Sequence, residues 1–372
     1  MVVDHAATDR RPGARGVSPI GLGGKRSRVG ARRHVVSAAL LVLAVLLAAV
    51  ASLLFGSGDT GVWRAVQFLV GGGDARADEH LRIVVMDLRL PRTFAALLIG
   101  VALGVAGALL QAVTRNPLAE TGLLGVNAGG ALGVVSGIML GAAGTGTARL
   151  GWAFAGALIV SAVVLLIAAK GSGGASPLRL VLAGAAIGAT VRGVTAYLLL
   201  GKQASYDEYR WWILGSLSGV SAESVIDVLP FVIVGVVIAL ASSRPLSALS
   251  LGDETARSLG HRPKLIRSVV VVAVTLLTAA SVAVAGPVAF VGLLAPYIAR
   301  AVVGTAMGPQ LLFAGLAGAL AVLVADVAAR LVIAPYEAPV AVLLALIGAP
   351  LLIMLARSSR LLTLGASKQG AL

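Results

Sequence analysis

The chain is 372 residues long, 58% hydrophobic and 12% charged, with a mean hydropathy of +0.97, which excludes a soluble globular domain and marks a polytopic membrane protein. Its formal charge of +14 would suit nucleic acid only as a contiguous basic surface, and these charges sit in short loops between apolar runs, so no nucleic-acid partner is expected. There is no cysteine, and the four histidines His5, His34, His80 and His261 have no ligand spacing; disulfides and thiolate metal sites are excluded, no metal site or bound cofactor is expected, and any metal handled must arrive already chelated.

Residues 1–34 form a basic tail, with eight Lys/Arg in the first 33 residues among many Gly and Pro and no apolar period, the composition of a disordered segment. Within it "GLGGKRS" (21–27) lacks the first glycine of a phosphate loop, and no strand precedes it, so ATP is not hydrolysed by this chain. The apolar run from Val35 to Phe55 is too long for a signal-peptide core and reads as a first span held inside by its basic flank.

A hydrocarbon core about 30 Å thick needs roughly 20 helical residues. That ruler gives ten spans, at 35–55, 93–113, 124–142, 150–169, 179–200, 226–243, 267–285, 288–306, 309–330 and 339–356, the tightest cut falling at Gly286–Pro287. With the N-terminus inside, the tail 359–372 also lies inside, and 20 Lys/Arg fall on that side against nine outside, as the positive-inside rule requires. The expected fold is all-α, a ten-helix transmembrane domain over 35–358 embedded in membrane lipid.

Taken along the chain, Arg89 and Arg92 bracket Pro91 at the outer start of the second span. Gly100 and Gly104 in that span, and Gly125, Gly129, Gly133, Gly137 and Gly141 in the third, fall four apart and predict ridges for close helix packing. Gln111 lies one turn before Arg115 and is placed to bond across helices, while Asn116 can cap the backbone that Pro117 interrupts. Arg192 stands well inside the fifth span, where a charge faces a cavity, a ligand or a partner, or else snorkels. "SYDEYRWWILGS" (205–216) predicts a short outer helix carrying Tyr206, Tyr209, Trp211 and Trp212, residues that also suit an interfacial belt.

The polar stretch 248–264 predicts two short helices with a bend. Gly252 breaks the first, Asp253 and Glu254 open the second at the positive end of its dipole, Arg257 lies near its other end and Gly260 stops it. Ala256 and Leu259, three apart, predict a small apolar patch on one face. Near the end of the ninth span Asp326 lies four before Arg330 and is placed to pair with it.

Eight blocks in unbroken order, "RLPR" (89–92), "GVALGVAGALLQAVTRNPLAETGLLGVNAGGALG" (100–133), "LRLVLAGAAIGA" (178–189), "WWILGSLSG" (211–219), "ALSLGDETARSLG" (248–260), "AGPVAFVGLLAPYIAR" (285–300), "ADVAAR" (325–330) and "APVAVLLALIGAPLLI" (338–353), resemble the FecCD family of permease subunits in ABC importers. The resemblance implies a permease subunit in the cytoplasmic membrane, both termini cytoplasmic. It pairs with a copy or a paralogue, sits on two cytoplasmic ATPases that bind ATP and Mg, and receives ligand from an extracytoplasmic binding protein. Ferric siderophore is the ligand class expected, with cobalamin or haem as the alternative; a secondary transporter would carry acids at mid-membrane that are missing here.

By the same resemblance, 244–266 is the segment coupled to the ATPase, carried by Leu251, Gly252, Asp253, Glu254, Ala256, Arg257, Leu259 and Gly260. Arg89, Arg92 and Arg330 would form outward pockets for carboxylates of the binding protein, headgroup anchoring being the other reading. The loop "GSGGASPLR" (171–179) resembles the cytoplasmic gate, with Ser176 and Pro177 as gate residues and Arg192, Tyr209 and Trp212 along the path. Tyr297 stands where many relatives have histidine, with Pro296 and Arg300 kept.

Overall fold

Long runs of Leu, Ala and Val favour helix, and helix is what the chain builds even where Pro230, Pro296 and Pro350 fall inside it. The computed structural model describes residues 24–357 except 58–59, 73–76, 144–145, 171–176 and 201–202. In chain order the helices are α1 (Gly24–Leu54), α2 (Val62–Val70), α3 (Glu79–Arg82), α4 (Leu90–Thr114), α5 (Val126–Met139), α6 (Gly146–Ala169), α7 (Pro177–Leu199) and α8 (Gln203–Ile213). Then follow α9 (Ala222–Ala241), α10 (Ser243–Ser250), α11 (Asp253–Ser258), α12 (Pro263–Ala285), α13 (Val291–Val303), α14 (Met307–Leu331) and α15 (Val340–Arg357).

Among the described residues, seven helices are long and apolar enough to cross a membrane, beginning at His34, Glu79, Gly146, Leu178, Ala222, Pro263 and Met307. The shorter apolar helices α5, α13 and α15 fall where the third, eighth and tenth expected spans were drawn.

Two boundaries differ from expectation. α1 begins at Gly24, so residues 24–34 of the basic tail are helical, continuing the span; residues 1–23 lie outside the described residues. The helix that carries the second expected span begins at Glu79, well before 93, because α3 runs through a π-helical stretch (Ile83–Arg89) straight into α4, giving one helix from Glu79 to Thr114. Pro91 explains the π stretch: it has no N–H to offer four residues back, and the wider turn re-pairs the ladder, with Leu90 N–H donating to Val85.

α4, α12 and α14 are the most deeply buried spans, with α13 packed against both α4 and α14. α1, α7 and α9 keep most of their surface exposed. Small residues set the closest crossing. A methyl group on Gly100 or Gly104 would run into the α14 backbone at Ala314, Gly318 and Ala319, and one on Gly318 into Gly100, the close approach that packing in lipid relies on. On α5 only Gly129, Gly133 and Gly137 serve as the expected ridge, against Gly156 and Trp152 of α6. Gly125 and Gly141 lie just outside the helix at positive φ.

The join between α12 and α13 is made inside the protein. Gly286 (φ 72°) ends α12, and Phe290 precedes α13 in the left-handed region (φ 69°). Its free N–H donates to Glu120 Oε1 at 2.8 Å. Gln111 reaches the same region as expected, its Nε2 lying 3.4 Å from the carbonyls of Gly292 and Leu293. Irregular backbone buried among apolar helices is tolerated only where protein groups satisfy it.

Candidate functional site

At one end of the bundle α10 and α11 form an elbow. Leu246, Ala248 and Leu249 of α10 are buried, which ties the elbow's first arm to the helices above it. The bend falls at Gly252 with φ 121° and ψ 156°, a conformation closed to L side chains. Asp253 and Glu254 then occupy the first turn of α11 and Arg257 the last. Gly260 (φ 80°) ends it, with Gly260 N–H donating to Arg257 O and His261 N–H to Ala256 O, each at 2.9 Å. The predicted bend at Gly252 and the start and stop of the second helix are present, while the first helix begins at Ser243, before the stretch 248–264 in which it was expected.

Two arginines from outside the elbow segment's expected residues, Arg115 and Arg267, fasten it. Asp253 Oδ1 accepts from Arg267 Nη2 at 2.7 Å and from Arg115 Nη2 at 2.8 Å, and Arg115 also donates to Leu249 O at 2.7 Å. Hydrogen bonding to Arg267 holds the Asp253 carboxyl below its usual range against an opposing burial effect, with the charges of Arg267 and Arg115 adding to the lowering. The apolar patch is corrected: Ala256 is fully buried at 0% while Leu259 is 59% exposed. Leu259 is the C-cap, outside the helix, so helical spacing does not align it with Ala256. The exposed apolar pair at the elbow is Leu251, 69% exposed, with Leu259.

At the opposite end the three arginines gather around the end of α1. Its last carbonyls lack intrahelical donors, and arginines supply them: Arg89 Nη1 donates to Leu53 O and Leu54 O, each at 2.9 Å, and Arg330 Nη1 to Ser52 O at 2.8 Å. Arg89 Nη2 donates to Thr60 Oγ1 at 2.7 Å. Arg92 Nε donates to Asp326 Oδ1 at 2.8 Å and its Nη1 to Glu337 Oε2 at 2.6 Å, while Asp326 also pairs with Arg330 as its spacing predicted.

Arg89, Arg92 and Arg330 are 5%, 7% and 1% exposed, so they are held within the chain rather than displayed outward. All three still line a cavity of about 340 Å³ together with Glu337. Three cations there meet two carboxylates, Asp326 and Glu337, which leaves an excess positive charge. Burial pushes the Glu337 carboxyl up, but hydrogen bonding and charge from Arg92, with bonds from Ser57 and Ser218, outweigh it and hold the group below its usual range.

Between the two ends lies a cavity of about 520 Å³, lined by Asn127 of α5, Arg192 and Thr195 of α7, and Tyr206 and Tyr209 of α8. A larger one, about 940 Å³, has Trp212, Arg149, Tyr336 and Glu337 in its wall. The rings of Tyr209, in the wall of the smaller cavity, and Trp212, in the wall of the larger, are 6.4 Å apart. Glu337 lines both the larger cavity and the arginine cavity. Of the gate residues, Pro177 is the first residue of α7, and Ser176 lies outside the described residues.

Glu120 carries no positional signal in the sequence for its role beside α13, because its partner lies 170 residues away. Among the described residues no cluster of His, Asp and Glu could hold a metal ion.

Residues 41–358 match the model of the FecCD transport family. The chain is 44% identical over 221 residues to the ferric enterobactin transport system permease protein FepD of Escherichia coli (strain K12), covering 59% of this chain and 66% of that one, just under two thirds. It is 37% identical to the vitamin B12 import system permease protein BtuC of Salmonella typhi, covering 80% of this chain and 87% of that one. A solved structure described as an inward-facing conformation of a metal-chelate type ABC transporter superposes with a TM-score of 0.75 at 27% identity, covering 86% of this chain and 98% of that one.

Proposed function

We propose, from the premise that this chain belongs to the FecCD transport family, that it is the membrane permease of an ATP-driven importer whose cargo is a ferric siderophore. The observation that carries the reading is the family match over residues 41–358, which takes in the elbow, the arginine cluster and both cavities at once. In this reading α5, α13 and α15 cross the membrane with the seven longer helices, making ten crossings with both termini in the cytoplasm. The exposed faces of α1, α7 and α9 then meet lipid or a second permease.

Each part has a place in that scheme. The α10–α11 elbow seats in a separate ATPase through Leu251 and Leu259, and its ion pairs with Arg115 and Arg267 carry ATPase motion into α4 and α12. The arginine cavity receives a carboxylate of an extracytoplasmic binding protein on its excess positive charge, which favours orientation and encounter. The cavities along α7 and α8 form the path. FepD supports iron-siderophore as the cargo; BtuC favours cobalamin as the second reading.

Uptake of radiolabelled ferric siderophore, haem and cobalamin by a deletion strain carrying this chain separates these readings. Rescue of siderophore uptake is the expected result, and rescue of cobalamin or haem alone would overturn the cargo assignment. Concentrative import by the purified chain reconstituted without any ATPase would overturn the importer reading itself.

A further inference from the structure

Arg192 is a mid-helix cation with no partner among the described residues. Pro177–Leu199 is 23 residues long, and Gly188 is its central residue. The Arg192 guanidinium folds back along the helix, placing Nη1 about 3.5 Å from where a Gly188 Cβ would stand. Helical side chains lean toward the N-terminus, and the missing side chain of Gly188 leaves the guanidinium room. The charge therefore sits at mid-span. A snorkelling arginine reaches for the nearer membrane surface; this one reaches away from the nearer end of its helix.

Arg192 is exposed, and it makes no hydrogen bond or ion pair with any of the described residues. An arginine at the centre of a span needs water, a counter-charge or a ligand anion. The surrounding cavity, about 520 Å³, is the size of a small-molecule site. Its described lining has no acidic residue: Asn127, Thr195, Tyr206 and Tyr209 supply neutral polar groups, and the remainder is apolar. Apolar walls lower the local dielectric, which strengthens the attraction of the lone cation for an anion and raises the penalty for a second cation. Tyrosine hydroxyls and the asparagine amide donate to the same oxygens, and the tyrosine rings offer faces for an aromatic ligand.

Given the importer reading, we infer that this cavity is a charge-selecting chamber in the path, where Arg192 with Tyr206, Tyr209 and Asn127 admits metal chelates of net negative charge and passes over neutral ones. A ferric tris-catecholate is of the favoured class, because its oxygens carry more charge than the ferric ion cancels. A ferric tris-hydroxamate is neutral and is not.

Equilibrium dialysis of the full-length chain in phosphatidylcholine nanodiscs against each radiolabelled chelate tests this. The tris-catecholate is expected to bind saturably, at least about tenfold tighter than the tris-hydroxamate; Arg192→Gln abolishes that preference and Arg192→Lys keeps most of it. Added salt weakens the tris-catecholate alone, a readout that needs no variant to fold. Equal affinity for the two chelates, absence of tris-catecholate binding, insensitivity to salt, or an unchanged preference in Arg192→Gln overturns the inference. Nanodiscs containing phosphatidylglycerol separate the other source of an anion. If Arg192→Gln loses co-purified anionic lipid while chelate binding is unchanged, the arginine holds a headgroup and the chamber is wrong. Intact chelate preference in a chain that restores no uptake in cells counts against the importer reading and leaves the chamber standing.

Discussion

Arg330 heads the fully buried large side chains, and its neighbours show why a protein keeps such a residue. It meets Asp326 one turn back and the end of α1 across the bundle, while Asp326 also takes Arg92 and Arg92 takes Glu337. Each member leaves an uncompensated charge if another is removed, so the cluster is costly to break even where it contributes little net stability. Asp326→Asn is expected to destabilise the protein by about 3–5 kcal/mol, read as a fall in thermal midpoint in detergent. Adding Arg330→Met should recover part of that loss, and strict additivity of the two changes would show that the residues are not coupled. The same burial argues against testing docking by reversing Arg89 and Arg92, since the fold would suffer before any partner did.

Among the elements, α4 and α14 are set by what they lack. Lipid tails are as apolar as leucine, so helices gain by backbone contact where side chains are small, and Gly100, Gly104 and Gly318 allow it. Gly104→Val would push its side chain into the Ala314 backbone, with an expected cost of about 1–3 kcal/mol or more as overpacking. Gly151→Ala, in the open face of α6 with nothing within 4 Å, should be neutral or stabilise by up to about 1 kcal/mol. Thermal midpoints of the two variants compare them directly; similar shifts would mean that glycine acts through helix propensity rather than contact. The glycine spacing was legible along the chain, but not which glycines pack, because that depends on where each helix ends.

For the whole molecule, the elbow and the cavities matter through what they connect. Leu259→Asp changes an exposed side chain and should leave the fold intact, yet cut uptake at least about tenfold while ATP hydrolysis continues, since an ionised carboxylate cannot enter an apolar groove without loss. Uptake and ATPase rates measured together in the assembled transporter decide it, and coupled transport at the normal rate would remove the elbow from the drive train. Hydropathy, positive charge in the loops and the capping residues of 248–264 already determined a helical membrane protein with a polar elbow, because those features depend on near neighbours and on the lipid. Only the tertiary structure decided that Arg89, Arg92 and Arg330 are buried, that Asp253 is clasped by Arg115 and Arg267, that Glu120 caps Phe290, and that Arg192 opens on a cavity. Partners 138 and 170 residues apart leave no periodic trace in a sequence, and whether a charge is spent or free depends on the helices that close around it.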